Sequence, residues 1–191
     1  MRINSIENVT KEMLKGKIIA FPTDTVYGVG ALIDDEVAIE KIYTLKKRDL
    51  QKPLAILAGK IEDIFPYIKQ PNKQTLEMME KYWPGALTII FEKSSQVTNR
   101  LTRGLSTIGF RIPNEEDALK LLKKVGPLAT TSVNLSGETP LNDAFTIDSY
   151  FGNQIDYMYY KEVESSNISS TVVDCTTDNC KVLRQGQIKI K

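Results

Sequence analysis

Short apolar runs alternate along the chain with segments of helical periodicity. The run Ile18–Phe21 is short, β-branched and followed by a proline, which is typical of a strand buried on both faces. Similar runs predict strands over residues 18–21, 54–58, 86–91, 106–113, 128–131, 169–174 and 181–186. Apolar positions at helical spacing predict helices over residues 5–15, 34 or 35 to 48, 61–67, 73–82 and 114–125, and residues 143–152 form a short helix or a loop. This alternation predicts an α/β fold.

Capping residues mark the ends of several predicted helices. Asp34 or Asp35 is the expected N-cap of the second helix, and Asn114 is the expected N-cap of the helix that precedes Gly126. The expected buried stripes are Ala38, Ile42 and Leu45 in the former, and Ala118, Leu119, Leu122 and Val125 in the latter. The first helix, Ser5 to Lys15, is expected to stop at Gly16.

The stretch Lys17–Gly30, with the sequence KIIAFPTDTVYGVG, runs from a buried strand into small polar groups. Pro22 stops the strand, and Gly28 and Gly30 allow a tight turn or a close approach to a ligand. A strand that ends in hydroxyls and a carboxylate is how open α/β sheets build binding sites. The alternative is an ordinary corner between a strand and a loop.

The cluster of cations at the end of the second helix and the single cation Arg111 each have a structural and a functional interpretation. Lys46, Lys47 and Arg48 end the second helix, where they either pair with the helix dipole or bind an anion. Arg111 lies between apolar neighbours in a strand, so it needs an anionic partner, which is either an internal carboxylate or a bound one.

Polar side chains cluster at the ends of four predicted strands. The clusters are Thr23–Thr25, Thr107 with Arg111, Thr130–Asn134, and Ser170 with Arg184. Together with Lys46, Arg48 and Lys52, they predict a pocket that is lined by hydroxyls and cations and is suited to a polyanion and a small zwitterion. Neither GxxxxGK[ST] nor GxGxxG occurs, which excludes ordinary P-loop and Rossmann interpretations.

The composition of the chain excludes several classes of binding protein and of catalytic mechanism. The chain of 191 residues is expected to form a single domain, residues 1–191, and its net charge of +1 argues against a protein that binds nucleic acid through a global positive field. No histidine is present, which excludes Ser-His-Asp and Cys-His nucleophiles. Cys175 and Cys180 are expected to be reduced and structural. The absence of a signal peptide or an apolar run long enough to span a bilayer predicts a cytoplasmic location with no membrane partner.

Six motifs in order resemble the YrdC-type family, the threonylcarbamoyl-AMP synthases, in their short, single-domain form. They are PTDTVYGVG at 22–30, KKR with KPL at 46–54, WPGALT at 83–88, FRIPN at 110–114, TSVNLSG at 131–137, and STVVD with LRQG at 170–186. The resemblance implies an open, twisted, mixed sheet flanked by helices, with a deep cationic cavity. It also implies a nucleotidyltransferase that joins L-threonine, bicarbonate and ATP into L-threonylcarbamoyladenylate and releases pyrophosphate, the first step of threonylcarbamoyladenosine formation in tRNA.

The resemblance also implies roles for individual residues. The threonine-binding residues would be Thr25, Arg111, Thr130 and Ser170. The ATP-binding residues would be Arg48, Lys52, Thr107, Ser132, Asn134 and Arg184, and Lys46 and Arg48 would be catalytic. Mg²⁺ is expected to enter with ATP, because no acidic cluster marks a metal cage of the protein. The other expected partners are downstream threonylcarbamoyl-transferase proteins and, indirectly or weakly, tRNA.

The chain departs from the family pattern at four positions. Asp49 stands where a proline is usual, and Lys52 where asparagine is frequent. Leu57 and Asn114 stand where some members have histidine, and the chain ends soon after Arg184 without the additional C-terminal domain of longer members. Two alternatives stay open: a carbamoyl-transferring domain like that of hydrogenase-maturation proteins, and a module that binds double-stranded RNA.

Overall fold

The computed structural model describes residues 1–161 and 166–190, and within these ranges ten strands form one sheet with four α-helices around it. The strands are β1 (Arg2–Ile3), β2 (Ile19–Phe21), β3 (Gly28–Leu32), β4 (Ala55–Leu57), β5 (Leu87–Glu92), β6 (Thr107–Arg111), β7 (Leu128–Ser132), β8 (Tyr157–Tyr159), β9 (Thr171–Asp174) and β10 (Lys181–Arg184). The helices are α1 (Glu36–Lys46), α2 (Lys73–Tyr82), α3 (Glu116–Val125) and α4 (Ala144–Phe151). The predicted α/β fold is confirmed.

The sheet is mixed, with the order β1-β8-β2-β3-β7-β4-β6-β5-β9-β10. Strands β2, β3, β7 and β4 pair antiparallel in its middle, whereas the β4–β6 and β5–β9 pairs are parallel. Strands β9 and β10 were predicted as two strands joined by a polar turn. They form a hairpin at one edge of the sheet.

Alternate residues of the central strands belong to two hydrophobic clusters. In β2 and the residue before it, Ile18 and Ala20 belong to the cluster that includes residues of α1, α2 and α4. Ile19 and Phe21 belong to the cluster that includes residues of α3 and the N-terminal segment. Since successive side chains of a strand point to opposite faces, the sheet is covered on both faces. This explains why the strand reads as a continuous apolar run.

Two predicted helices are wrong. Residues 5–15 form two short 3₁₀ turns, Ile6–Asn8 and Glu12–Leu14, because Val9 between them is extended. The predicted helix over residues 61–67 is likewise two 3₁₀ turns, and Pro66 in the second one has no N–H for a continuous helix.

The caps and ends of the other helices needed smaller corrections. Asp35 caps α1, accepting a hydrogen bond from Ala38 N, and the helix ends at Lys46 because Lys47 is left-handed (φ 48°). Helix α3 is capped by Glu115 and not by Asn114: the Glu115 carboxylate accepts a 2.6 Å hydrogen bond from Ala118 N, three residues on. Of its predicted stripe, Leu119 is only half-buried and Leu121 is buried instead.

Gly28 and Gly30 lie in a strand, so of the two predicted uses the tight turn is wrong, whereas Gly28 lines the cavity described below, where a ligand could approach it. They pair with Ser132 and Thr130 of β7, and a Cβ placed on Gly28 would lie 2.9 Å from Thr130 Cγ2. The glycines are therefore used for close approach within the sheet.

The expectation of reduced cysteines is wrong. Cys175 follows β9 and Cys180 precedes β10, and the hairpin brings their Cα atoms to 4.4 Å, where they form a disulfide. Strands β1 and β8 were not predicted; they have two and three residues, too few to show a periodicity.

Candidate active site

A cavity of about 410 Å³ opens beside the middle of the sheet, among the polar strand ends. Its volume lies in the range of about 300–1,000 Å³ that is usual for small-molecule sites. Eight of the predicted site residues line it: Thr25, Arg48, Thr107, Arg111, Thr130, Ser132, Ser170 and Arg184. The predicted pocket is therefore formed, and its three arginines give it a cationic lining.

Arg111, at the end of β6, is held by three protein groups. Its Nε donates to Gly85 O (3.0 Å), Nη1 to Thr25 Oγ1 (2.7 Å) and Nη2 to Asp24 Oδ1 (2.5 Å). The sequence left open whether the anionic partner of Arg111 is an internal carboxylate or a bound one. The structure shows an internal carboxylate, that of Asp24. A guanidinium has five N–H groups, so one on each terminal nitrogen stays without an acceptor among the described residues.

Burial lowers the pKa of Arg111, and the nearby charge of Arg184 acts in the same direction. The carboxylate of Asp24 opposes both by favouring the charged guanidinium. The Asp24 side chain is 16% exposed and that of Arg111 is 7% exposed, so water screens their attraction weakly.

A row of hydroxyls continues from Arg111 along the cavity. Thr25 Oγ1 lies 3.1 Å from Thr23 Oγ1, which donates to Val26 O. Ser170 Oγ lies 2.8 Å from Thr88 Oγ1. These contacts fix the side chains before any ligand enters, which limits the ordering cost of binding.

Arg184 and Arg48 are oriented by carbonyl oxygens. Arg184 Nη2 donates to Ser170 O at 2.9 Å. Arg48 donates from Nε to Lys52 O at 3.1 Å and from Nη2 to Pro53 O at 3.0 Å. Neither arginine has a carboxylate within 4.0 Å among residues 1–161 and 166–190. Within this part of the chain, both therefore bring a positive charge without a carboxylate partner to the cavity wall.

Lys46 and Asn134 lie behind the cavity wall and do not line it. Lys46, only 1% exposed, donates to Ser132 O (2.5 Å), Asn134 O (2.9 Å) and Asn134 Oδ1 (3.0 Å). Asn134 Oδ1 also accepts from Ser132 Oγ at 2.6 Å. Lys46 thus holds the segment that carries Ser132, while Arg48, beyond the left-handed Lys47, reaches the cavity.

Lys46 makes stability depend on pH. Burial, together with the charge of Arg48, lowers its pKa from 10.5 to about 8. Between these values the unfolded chain holds a proton that the folded chain has released, so folding becomes more favourable as pH rises. We expect the advantage of the native protein over Lys46→Met in free energy of unfolding to grow by about 1–2 kcal/mol from about pH 7.5 to about pH 9.5. Urea titrations of both proteins measure this, and a constant difference would contradict it.

Lys52 is the third predicted site residue, after Lys46 and Asn134, that does not line the cavity. Its side chain is exposed and does not line the cavity. Its carbonyl oxygen accepts from Arg48 Nε and from Tyr43 Oη, so its backbone helps to orient Arg48.

Sequence reasoning missed several residues of the site. Asp24 was noted only as part of a polar cluster, and Thr88 was assigned to an ordinary strand. Apolar residues from a connecting segment, Leu101 and Leu105, also line the cavity. Asp24 and Thr88 lie within the motifs at 22–30 and 83–88, so the motifs were the signal that could have identified them. Leu101 and Leu105 lie in the connection between β5 and β6, and the tertiary fold alone brings them to the cavity.

Among the described residues, no group of three or more histidine, cysteine, aspartate or glutamate side chains could hold a metal ion. None of their helices is long and apolar enough to cross a membrane.

A second cavity, of about 420 Å³, lies on the other side of the segment that contains Leu101. Two of its charged residues are already paired with carboxylates, Arg100 with Glu36 and Arg103 with Glu40. None of the predicted site residues lines it.

The chain resembles known proteins over most of its length. The family model for Sua5, YciO and YrdC proteins, described as telomere recombination, matches residues 11–186. A threonylcarbamoyl-AMP synthase of Pyrococcus abyssi is 33% identical over 178 residues, which are 93% of this chain and 52% of that protein. One of Vibrio vulnificus (strain YJ016) is 29% identical over 187 residues, 96% of this chain and 100% of that protein.

A solved structure gives the same result for the fold. The crystal structure of P. abyssi Sua5 complexed with L-threonine superposes with a TM-score of 0.88 at 31% identity, over 97% of this chain and 57% of that one. The chain thus spans about half the length of the Pyrococcus relative and the full length of the Vibrio relative. Fold, motif order and the match over residues 11–186 agree, and the chain belongs to the Sua5/YciO/YrdC family.

Proposed function

We propose that this protein is an L-threonylcarbamoyladenylate synthase, which joins L-threonine, bicarbonate and ATP and releases pyrophosphate. The observation that carries the proposal is one cavity with three arginines, of which, among the described residues, one is paired with a carboxylate and two are not. Such a cavity offers one end to a zwitterion and another to a polyphosphate. The relatives from Pyrococcus and Vibrio bear the name of this activity.

Threonine would bind at the Arg111 end. The two N–H groups of Arg111 that have no acceptor in the described part of the chain can donate to the substrate carboxylate. Thr25, Thr130 and Ser170 offer hydroxyls there for the rest of the amino acid.

ATP would bind at the end formed by Arg48 and Arg184. Their charges and the hydroxyls of Thr107 and Ser132 suit phosphate oxygens. Asn134 and Lys46 would support this end from behind, by holding Ser132. The assignment of the Lys52 side chain has the least structural support, because that side chain is exposed.

The mechanism needs positioned charges more than acid–base groups. Bicarbonate takes up a proton and loses water to give CO₂, and the threonine ammonium releases a proton to become a free amine. The amine attacks the carbon of CO₂ and releases a second proton to solvent, which gives a carbamate. A carbamate oxygen then attacks the α-phosphorus while the bond to pyrophosphate breaks. Negative charge gathers on the phosphate oxygens in the transition state, and Arg48 and Arg184 would stabilise it. No histidine is required.

Mg²⁺ would arrive on the phosphates of ATP and neutralise part of their charge. The arginines that line the cavity would contact the phosphate oxygens and neutralise a further part of that charge. The product would pass to proteins that transfer the threonylcarbamoyl group to an adenosine of tRNA. We also propose that residues 1–191 act as one domain, since β1 and β10 belong to one sheet.

A carbamoyl-transferring module and a double-stranded RNA-binding module are the alternatives. The net charge of +1 and the placement of arginines inside a cavity disfavour the RNA-binding module, which needs an exposed basic surface. Both alternatives predict no threonine-dependent formation of AMP.

Turnover of ATP tests the proposal. We expect pyrophosphate and the adenylate, with AMP from hydrolysis of the adenylate, to form only when threonine and bicarbonate are both present. Serine should support weaker turnover, since loss of one methyl contact changes discrimination by about 1–3 kcal/mol. Equal turnover without bicarbonate, or equal turnover with serine and threonine, would contradict the division of the cavity into two ends.

A further inference from the structure

The three arginines of the cavity differ in how their charge is compensated. Arg111 has a carboxylate, Asp24, at 2.5 Å, whereas Arg48 and Arg184 donate to carbonyl oxygens and to Ser170. A carbonyl oxygen orients a guanidinium but leaves its net charge in place. The Arg111 end is therefore nearly neutral, whereas no carboxylate of residues 1–161 and 166–190 lies within 4.0 Å of Arg48 or Arg184 to offset their charge.

Asp24 itself does not line the cavity. Its carboxylate contacts Nη2 of Arg111 from behind, and Thr25 Oγ1 accepts from Nη1, so the plane of the guanidinium is fixed. Nε is held by Gly85 O. Three contacts in three directions leave the guanidinium little freedom to turn.

Resting on the proposed function, we propose that Asp24 is a positioning and specificity-determining residue. It aims the free N–H groups of Arg111 at the threonine carboxylate, and it cancels the charge that would otherwise attract phosphate to the threonine end. A zwitterion such as threonine has no net charge and needs only the aligned donors. A polyphosphate gains most from uncompensated cations, so it prefers Arg48 and Arg184.

The proximity of the arginines makes this compensation necessary. Arg184 is near enough for its charge to disfavour the charged form of Arg111. Without Asp24, Arg111 and Arg184 would form a continuous cationic surface across the cavity, and pyrophosphate could occupy both ends. Asp24 therefore separates two binding ends that share one cavity.

The test is calorimetric titration of L-threonine with and without inorganic pyrophosphate. In the native protein, pyrophosphate should change the dissociation constant of threonine by less than about twofold. In Asp24→Asn, threonine should bind about tenfold more weakly or worse, as expected for loss of one charged hydrogen bond in a buried site. Pyrophosphate should then weaken it further, in a competitive manner. Loss of positioning alone would not produce that competition.

Asp24→Glu separates charge from position, and it also serves if Asp24→Asn does not fold. It keeps the carboxylate but adds a methylene, so threonine should bind more weakly while pyrophosphate still fails to compete. The matched control is Asp148→Asn, which removes the same charge from another arginine pair, Arg2–Asp148, outside the cavity. That variant should behave like the native protein.

Each result decides one question. If the native protein binds threonine and both Asp24 variants bind it equally well, Asp24 has no positioning role. If pyrophosphate competes with threonine equally in the native protein and in the variants, the charge argument is wrong. If the native protein does not bind threonine at all, the proposed function fails, independently of Asp24.

Discussion

Replacing Arg48 by alanine is expected to lower kcat about 10²-fold or more, the scale of losing one preorganised group that stabilises transition-state charge. Arg48 lines the cavity, and two carbonyl oxygens hold its guanidinium in place. Because it has no carboxylate partner among the described residues, its charge is available to the phosphates. Steady-state kinetics and thermal unfolding should be measured on the same variant.

Lys47→Ala is the matched control for Arg48→Ala. Lys47 lies at the same helix end and is exposed, but it does not line the cavity. If these cations only pair with the helix dipole, both variants should lose less than about 1 kcal/mol of stability and keep their turnover. Normal turnover in Arg48→Ala would therefore contradict the assignment of Arg48 to transition-state stabilisation.

Arg111→Lys is expected to weaken threonine binding about tenfold or more while the fold persists. Lysine keeps the charge near Asp24 but cannot donate to Gly85, Thr25, Asp24 and a substrate carboxylate at once. Affinity should fall more for threonine than for ATP. Calorimetric titration with each ligand measures the two affinities.

Arg103→Lys is the control for this substitution. Arg103 is also mostly buried and pairs with a carboxylate, Glu40 at 2.7 Å, but it lies outside the main cavity. The Arg103→Lys variant tests whether replacing a buried, carboxylate-paired arginine by lysine weakens threonine binding merely by disturbing the fold. If both variants bind threonine like the native protein, Arg111 has only a structural role.

The fold could be predicted where local patterns decide it. Helix α2 was predicted over residues 73–82 and is observed there, because its apolar spacing and the Asn72 cap act within the segment. The segment 5–15 failed because apolar residues at suitable spacing do not ensure a helix when Val9 is extended. The glycine-rich strand β3 failed because its pairing with β7 depends on residues about a hundred positions away.

In the candidate site, too, local patterns predicted some features, and contacts between distant residues determined the others. Polar residues at strand ends indicated which side chains would meet, since buried strands converge at one cavity. Sequence reasoning could not tell that Lys46 would be used to hold Ser132 and Asn134 while Arg48 reaches the cavity. The left-handed backbone of Lys47 separates the two, and lysine carries no local signal for that conformation. The pairing of Asp24 with Arg111 likewise joins residues 87 positions apart.

The most direct measurement is mass spectrometry of the product formed from L-threonine, ATP and ¹³C-bicarbonate. The proposal predicts an adenylate that contains the threonine carbon skeleton and one ¹³C atom from bicarbonate, with AMP and pyrophosphate in the same reaction mixture. The adenylate should disappear in Arg48→Ala on the time scale of native turnover. An adenylate without the ¹³C label, or no adenylate from protein that binds both threonine and ATP, would contradict the proposed activity.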